Sequence, residues 1–259
     1  MKEMSLKENS QNENSTKRKK TVRLNKYLAM CGLGSRRKVE KLIVEGKVKI
    51  DGQVAPGPWV TINSDTKVLV DERTVVPLKK VYIAMNKPRN CVCAVTDARH
   101  KTVLDLLPKK LRDYRPFPVG RLDKNSTGLL IITNDGEFAN NLIHPRNHIT
   151  KTYEVVLDKP ITSKDIVKWE KGLWIDEKFI RPKNVKTIAE NCTEVEIYEG
   201  IKREVRRMAE ILGYKVIKLT RTKIGNLQLK TLKEGSFLKL QREELTHMIR
   251  NGGVIKFIF

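Results

Sequence analysis

The chain has 259 residues, of which 39% are hydrophobic, so it can bury one large core or two smaller ones. Its 52 lysines and arginines against 30 acidic residues give a net charge of +22, which favours a polyanionic partner through attraction and counterion release. No apolar stretch reaches the roughly 18–20 residues that a membrane-spanning helix needs, so we expect no contact with the membrane interior.

Residues 1–21 are rich in Asn, Glu, Ser and Lys and have almost nothing to bury, which predicts a disordered tail. The segment lacks the apolar centre of a secretory signal, so we expect a cytoplasmic protein. The four cysteines lie at Cys31, Cys91, Cys93 and Cys192. They offer one C-x-C pair without a second pair, so we expect free thiols and no metal site.

Residues 22–72 are predicted to form two helices followed by a small strand unit. Apolar residues at helical spacing predict a first helix that ends at the glycines of "CGLGS". Ser35 is predicted to cap a second helix. A turn at Asp51-Gly52 then joins two short strands. The start and the exposed side of the second helix are basic, with Arg36, Arg37, Lys38 and Lys41.

This stretch resembles the S4 RNA-binding module, which has two helices, a basic start to the second helix and a small strand unit. In that module the second helix lies against the RNA backbone. The resemblance therefore implies that Arg36, Arg37, Lys38 and Lys41 contact phosphates, which would position the RNA without reading its sequence. Without the resemblance, the same charges are typical of a solvated helix face.

A larger domain is predicted at residues 80–245, after a charged linker, and residues 246–259 are predicted to be a C-terminal tail. Of the 52 basic residues, 37 lie in residues 73–259, together with 21 of the 30 acidic residues. Most of the positive charge therefore lies outside the small module, and the larger domain should also contact nucleic acid.

The larger domain is predicted to be α+β, with a mostly antiparallel mixed sheet flanked by helices. Three segments have helical periodicity: "DGEFANNLIHP", "SKDIVKWEKGLW" and "IKREVRRMAEILG". Six segments rich in Val, Ile, Tyr and Leu are predicted to be strands: "VYIAMN", "GLLIIT", "TYEVVL", "EVEIYEG", "YKVIKLTRTKIG" and "FLKL". The alternation lacks a βαβ rhythm.

A loop, "GRLDKNST", leads into the buried strand "GLLIIT", and its Asp123 would by itself be read as a turn or capping residue. Several ordered motifs change that interpretation: "GRLD", "KTYEV", "KREVRRM" and "VIKLTRTKIG", with "MNKP" and "TVLDLLP" before them. Together they resemble the ribosomal RNA pseudouridine synthases that carry an N-terminal S4 module. The resemblance covers roughly residues 22–245.

The resemblance implies a role for each matching residue. The catalytic aspartate of the family corresponds to Asp123. Arg121 of the same motif is expected to bind the substrate. The active-site tyrosine, which stacks on the target uracil, falls on Tyr153. The basic partner of the carboxylate falls on Arg206, and the apolar residue against the flipped base falls on Leu219.

Two positions depart from the family pattern. Glu204 stands where the family usually has glutamine, which puts a local hydrogen bond in doubt, and Met85 stands where leucine is commoner. The second exchange conserves volume. Both departures leave the three central residues, Asp123, Tyr153 and Arg206, unchanged.

The implied reaction breaks the glycosidic C–N bond of a uridine, turns the base and forms a C–C bond to the same sugar. It needs neither water nor a redox change, so we expect no cofactor and no metal. It needs an ionised carboxylate that attacks or stabilises a cationic sugar. Whether Asp123 adds to the sugar C1′, removes a proton from C2′ or attacks the base stays open at this stage.

Three alternatives stay open beside a synthase that acts on large-subunit rRNA. The first is a small-subunit rRNA pseudouridine synthase, and the second is a non-catalytic RNA-binding protein of ribosome assembly. A carboxylate-dependent RNA glycosidase ranks lower, since no paired general acid stands in the motifs. We expect a monomer. Residues outside the motifs are interpreted as structural or non-catalytic: Trp59, Trp169, Trp174, His144, His148 and His247.

Overall fold

The computed structural model describes residues 21–198 and 201–255. Nearly all of the predicted N-terminal tail lies outside these residues, as do residues 256–259. Internal contacts divide the chain into two units, residues 1–78 and 79–259, each of which is considered separately. The finer domain limits at residues 72, 80 and 245 stay predictions.

From residue 21 onward, the smaller unit has two helices and six short strands. They are β1 (Val22–Arg23), α1 (Leu24–Met30), α2 (Arg36–Val44), β2 (Val48–Ile50), β3 (Gln53–Val54), β4 (Thr61–Ile62), β5 (Val68–Val70) and β6 (Arg73–Thr74). Strand β1 pairs with β4, and a four-stranded antiparallel sheet has the order β3-β2-β5-β6. Its core joins apolar residues of both helices to β2, β4 and β5.

The predicted helix cap at Ser35 and the predicted turn at Asp51-Gly52 are both present. The Ser35 side chain accepts a hydrogen bond from the Lys38 backbone N–H and thereby caps α2. Asp51 and Gly52 both have positive φ, at 48° and 87°, which is the backbone that a tight two-residue hairpin requires. Short polar and glycine residues adopt this backbone at little energetic cost.

The larger unit contains β7 (Tyr82–Lys87), α3 (Lys109–Arg112), β8 (Phe117–Val119), β9 (Thr127–Thr133), α4 (Gly136–Ile143), β10 (Lys151–Leu157), α5 (Ser163–Lys171), β11 (Leu173–Ile175), β12 (Lys178–Ile180), β13 (Asn184–Ala189), β14 (Cys192–Ile197), α6 (Glu204–Ile211), β15 (Val216–Ile224), β16 (Leu227–Leu229), β17 (Phe237–Leu240), α7 (Arg242–Asn251) and β18 (Gly253–Ile255). Short 3-10 turns lie at Val103–Leu106 and Pro145–Asn147. Over the described residues, the helices and strands predicted from sequence periodicity are confirmed, except that Leu173 and Trp174 at the end of a predicted helix lie in β11.

Ten of the described strands form one sheet, whose main path runs β13-β14-β10-β15-β9-β7-β17. Strand β8 pairs with β9, and β16 pairs with β15 and β18. All pairs are antiparallel except β15 with β9 and β16 with β18. The predicted α+β class with a mostly antiparallel mixed sheet is therefore confirmed.

The parallel contact between β9 and β15 joins the two halves of this sheet at Gly128. Gly128 pairs with Arg221 and has a φ of 110°. A Cβ there would lie 2.3 Å from the Arg221 carbonyl oxygen, so only glycine permits this approach. The loop that carries Asp123 ends at this junction. It therefore lies at the start of β9, one of the central strands of the sheet.

Separate apolar cores lie in the two halves of the unit. One half packs α5 and α6 against Val155 and Leu157 of β10 and against Leu219 of β15. The other half buries α4 and α7 on β7 and β9, which are buried along their whole length. Layers of this kind hold the strands that border the site rigidly.

The described part of the predicted C-terminal tail, residues 246–255, forms regular structure. Helix α7 runs through Asn251, and β18 pairs in parallel with β16. Leu245, Ile249 and Ile255 are buried in the core of the larger unit. The segment is too short to show a strand pattern by itself, and its pairing depends on a β16 edge that forms only in the folded sheet.

Candidate active site

The loop of residues 120–126 is a tight turn held by its own backbone and by neighbouring strands. Gly120 enters it with a φ of 73°, and the Ser126 N–H donates to the Asp123 carbonyl oxygen at 3.0 Å. The Leu122 N–H donates to the Cys93 Sγ at 3.4 Å. The Asp123 side chain is left partly exposed, at 39% of its area, so its carboxylate faces the space above the turn.

The buried side chain of Lys87 anchors this loop through hydrogen bonds to its backbone. Its side chain is fully buried, and its Nζ donates to the carbonyl oxygens of Pro88, Lys124 and Ser126 at 2.9, 3.2 and 2.7 Å. Burial lowers the pKa of Lys87, while nearby Cys93, Cys91 and Asp123 oppose that effect. All three ammonium protons thus have acceptors, two of them in the loop of Asp123.

Sequence reasoning gave Lys87 no role, although it lies in the quoted "MNKP" motif. A lysine at the end of an apolar strand ordinarily reaches solvent. The signal that could have identified it is its position at the end of a strand whose residues before Asn86 are all apolar or aromatic.

Arg206 lies on α6 with only 9% of its area exposed. Its Nη1 donates to the Val216 carbonyl oxygen at 3.0 Å, its Nη2 to the Ser126 Oγ at 3.4 Å, and its Nε lies 3.8 Å from the Asp123 Oδ2. Burial lowers the pKa of Arg206, the like charge of Arg203 adds to this, and Asp123 opposes it. Arginine nevertheless stays protonated, so a fixed positive charge faces the carboxylate.

The Nε of Arg206 is buried and makes no hydrogen bond with the described residues. At 3.8 Å from Asp123 it forms an ion pair that is too long for a hydrogen bond. A shift of the aspartate by a fraction of an ångström would supply that bond, and such long contacts often shorten when substrate binds.

Tyr153 on β10 and Leu219 on β15 form the apolar floor of the site. They are 8% and 6% exposed, and Leu219 pairs with Val155, two residues along β10 from Tyr153. Because side chains two residues apart on a strand share a face, Tyr153 and Leu219 are diagonal neighbours. Both residues line the cleft described below.

A small open cleft of about 80 Å³ brings most of the predicted residues together. It is bordered by Arg121, Asp123, Tyr153 and Leu219, and also by Arg203 and Glu204 of the α6 start. Arg206 is not at the cleft surface and reaches it through Asp123. Sequence reasoning had not singled out Arg203 or the buried Ser126.

Glu204, which replaces the usual glutamine, is buried and accepts the Ile201 N–H on its Oε2 at 2.8 Å. The bond orders the chain just before α6. A glutamine side-chain oxygen could accept the same N–H, so this departure preserves the local hydrogen bond that the sequence put in doubt.

The four residues of the smaller unit that are predicted to contact phosphates lie on α2. Arg36, Arg37, Lys38 and Lys41 are all exposed, whereas Val39 and Ile43 of the same helix are buried. Exposed cations clustered on one helix suit contacts with phosphates. Their role in RNA binding stays a prediction.

Among the described residues, no three His, Cys, Asp or Glu side chains gather in a way that could hold a metal ion. The four cysteines are free thiols. No helix in the described ranges is long and apolar enough to cross a membrane.

Family models match both units of the chain. The model described as RNA pseudouridylate synthase matches residues 81–210, and the S4 domain model matches residues 22–55. An RNA pseudouridine synthase of Aquifex aeolicus (strain VF5) is 37% identical over 244 residues, which are 90% of this chain and 96% of that protein.

Two further relatives and one solved structure are similar over most of their length. The ribosomal large subunit pseudouridine synthase B of Bacillus subtilis (strain 168) is 37% identical over 87% of this chain and 95% of its own. The dual-specificity RNA pseudouridine synthase RluF of Escherichia coli (strain K12) is 35% identical over 89% and 79%. A crystal structure of a pseudouridylate synthase superposes with a TM-score of 0.64 at 28% identity, covering 87% of this chain and 98% of that one.

Proposed function

The chain belongs to the RNA pseudouridylate synthase family, and on this premise we propose that it isomerises uridine to pseudouridine in large-subunit ribosomal RNA. The observation that carries the proposal is the cleft that Asp123, Tyr153 and Leu219 line together, with the Arg206 Nε 3.8 Å from the Asp123 carboxylate. The choice of the large subunit is supported by the name of the Bacillus subtilis relative.

Asp123 is the proposed catalytic carboxylate. The reaction breaks the bond between N1 of the uracil and C1′ of the ribose, and later forms a bond between C5 and C1′ while C5 loses its proton. A carboxylate either bonds to the electron-poor centre or stabilises its positive charge. The exposed side chain of Asp123 can reach a substrate, while the anchored loop holds its backbone in place.

Arg206 is the proposed counter-charge. Its bond to the Val216 carbonyl oxygen fixes the guanidinium, so the positive charge stays where the carboxylate needs it. A preorganised charge in a partly dry site stabilises an ionised carboxylate more strongly than water-exposed charge does.

Tyr153 and Leu219 are proposed to hold the uracil after the glycosidic bond breaks. An aromatic face and an aliphatic side chain bind a flat base without fixing its orientation in the plane, so the base can turn before C5 meets C1′. Arg121 at the cleft border is proposed to bind the substrate. Extruding the uridine from its helix costs about a few kcal/mol, which phosphate contacts and stacking offset.

The smaller unit is proposed to bind the RNA backbone through Arg36, Arg37, Lys38 and Lys41. We propose further that the enzyme acts as a monomer, needs no metal or cofactor and works in the cytoplasm. The redox-neutral exchange of one bond for another supports the absence of a cofactor.

Pseudouridine mapping tests the proposal. Ribosomal RNA from cells with and without the protein should differ at one or a few uridines of the large subunit, and purified protein should release tritium from rRNA labelled as 5-³H-uridine. A difference only in small-subunit RNA would contradict the subunit assignment. Unchanged maps and no tritium release would contradict the activity itself and leave a non-catalytic RNA-binding role.

A further inference from the structure

The hairpin of β11 and β12 has one buried and one exposed face. Leu173, Ile175 and Ile180 pack into the core next to α6. Trp174 and Phe179 are directly opposite each other in the register and point to solvent, with 64% and 47% of their areas exposed. An exposed apolar patch on a folded protein can mark an interaction site.

The two rings form a fixed surface. Their centroids are 5.5 Å apart and their planes meet at 59°. Gly172 lies beneath Phe179, and a Cβ at this glycine would come within 2.7 Å of the ring. Because the φ of Gly172 is 101°, the position also favours glycine by its backbone. The Phe179 ring therefore rests on main chain, which limits the entropy it loses on binding a ligand.

The charge of the surroundings suits an anionic ligand. Residues 164–183 contain six basic and four acidic side chains. Of the acidic groups, Asp165 pairs with Lys168, and Asp176 pairs with Arg207 of α6. The net charge of the segment is positive, which attracts a polyanion and disfavours a basic peptide.

The hairpin is tied to the helix that borders the active cleft. Arg207 joins the hairpin turn through Asp176, and Arg203 of the same exposed side borders the cleft. Four helical residues rise about 6 Å, so the tie lies about one helical turn from the cleft. A strand of RNA that leaves the cleft along α6 would reach the hairpin within a short distance.

We infer that Trp174 and Phe179 form a stacking platform for an unpaired base that flanks the target uridine in the RNA substrate. The inference rests on the proposed function, because that function supplies the RNA. Aromatic side chains beside cations bind successive bases of single-stranded nucleic acid with little sequence preference. The competing explanation is a cross-strand pair that serves only to stabilise the hairpin.

The test compares RNA with and without bases. Full-length wild type and the double variant Trp174→Leu/Phe179→Leu are titrated with an oligouridine 12-mer and with an abasic 12-mer of the same charge. We expect the variant to lose about tenfold of the preference for the oligouridine, as expected for one stacked base, with an unchanged dependence on salt. Some preference should remain, because Tyr153 in the cleft also contacts a base.

Trp59→Leu is the matched control, because Trp59 is another exposed tryptophan, at 69%, and lies in the smaller unit. It should leave the preference unchanged. Thermal unfolding of each variant shows that it is folded. A double variant that is folded and keeps the full preference overturns the platform, as does an equal loss for both RNAs or an equal effect of Trp59→Leu.

The binding ratio does not depend on turnover. Absence of tritium release by the wild type would contradict the proposed function, whereas an unchanged ratio in an active enzyme would contradict the platform alone.

Discussion

The two units use charge in opposite ways. In the smaller unit the basic residues of α2 are exposed, and the one buried polar side chain among its described residues is Asn25. The described part of the larger unit buries Lys87, Asp135, Glu204, Arg206 and Arg221. Exposed charges are screened and individually weak, but they sum against a polyanion. Buried charges are costly, and each must be held by specific partners.

The difference separates binding from chemistry. Mobile cationic side chains at many different positions can contact a phosphate backbone. A reacting sugar needs one carboxylate at one place, which requires a rigid loop and a fixed counter-charge. Substitutions in the two units should therefore produce different kinds of defect, and the following predictions test that separation.

Asp123→Asn should have the largest effect. The change is nearly isosteric but removes the charge, so we expect turnover to fall by about 10⁴-fold or more, as when other enzymes lose a nucleophile or base. RNA affinity should stay nearly unchanged. Tritium release from 5-³H-uridine rRNA measures turnover, and Asp113→Asn on the exposed surface is the control. Near-normal turnover would remove Asp123 from the catalytic role.

Arg206→Met should reduce turnover by about 10²-fold and affect RNA binding far less, because the carboxylate loses its fixed counter-charge. Arg207 stands about 100° around the helix, where it pairs with Asp176, and serves as the control. Arg207→Met should instead weaken binding mildly and lower the salt slope by about one. Single-turnover assays that show the reverse pattern would mean that the two arginines exchange these roles.

Replacing Arg36, Arg37, Lys38 and Lys41 by glutamine should weaken rRNA binding by about tenfold to a hundredfold and reduce the slope of log affinity against log salt by about three. Turnover at saturating RNA should persist, since the proposed catalytic residues all lie beyond residue 80. An unchanged slope would argue against phosphate contacts by α2. Glutamine substitutions at Lys109 and Lys110, also exposed on a helix, provide the comparison.

Lys87→Met should destabilise the larger unit by about 3 kcal/mol, because buried carbonyl oxygens lose their donor while the apolar stem is kept. Turnover should fall as the loop of Asp123 loosens. Urea unfolding measures the first effect and tritium release the second. Lys109→Met, with an exposed ammonium group, should change neither. A stable and fully active Lys87→Met would show that the loop holds itself.

Asp135→Asn should cost about 2 kcal/mol at pH 7 through loss of its charged hydrogen bonds. Burial raises the pKa of Asp135, but hydrogen bonds from Lys80, Tyr82 and the Phe138 N–H outweigh this and leave the pKa below its ordinary value.

Because the folded-state pKa of Asp135 lies below the unfolded one, the stabilisation is present above about pH 4 and is lost as the pH falls through the folded value. Urea unfolding of wild type and variant at pH 7 and pH 3 should therefore show a smaller difference at pH 3. A difference that does not depend on pH would assign the effect to packing.

Local sequence determined the elements whose stability depends on near neighbours. Ser35 caps α2, the Asp51-Gly52 pair forms its hairpin, and apolar periodicity marked α4 to α6 and the central strands. Motifs such as "GRLD" and "KREVRRM" indicated the family because residue type and spacing are themselves the signal. These features involve residues that are close along the chain, so one sequence contains the information needed to predict them.

Tertiary structure alone decided which distant groups meet. Lys87 supports Asp123's loop, Arg206 reaches Ser126 across 80 positions, and β18 joins the sheet through β16. Trp174 and Phe179 likewise became an exposed pair only through the hairpin register. Whether a charge is buried and what holds it depend on chain segments brought together by packing, and the local pattern around a residue does not specify those segments.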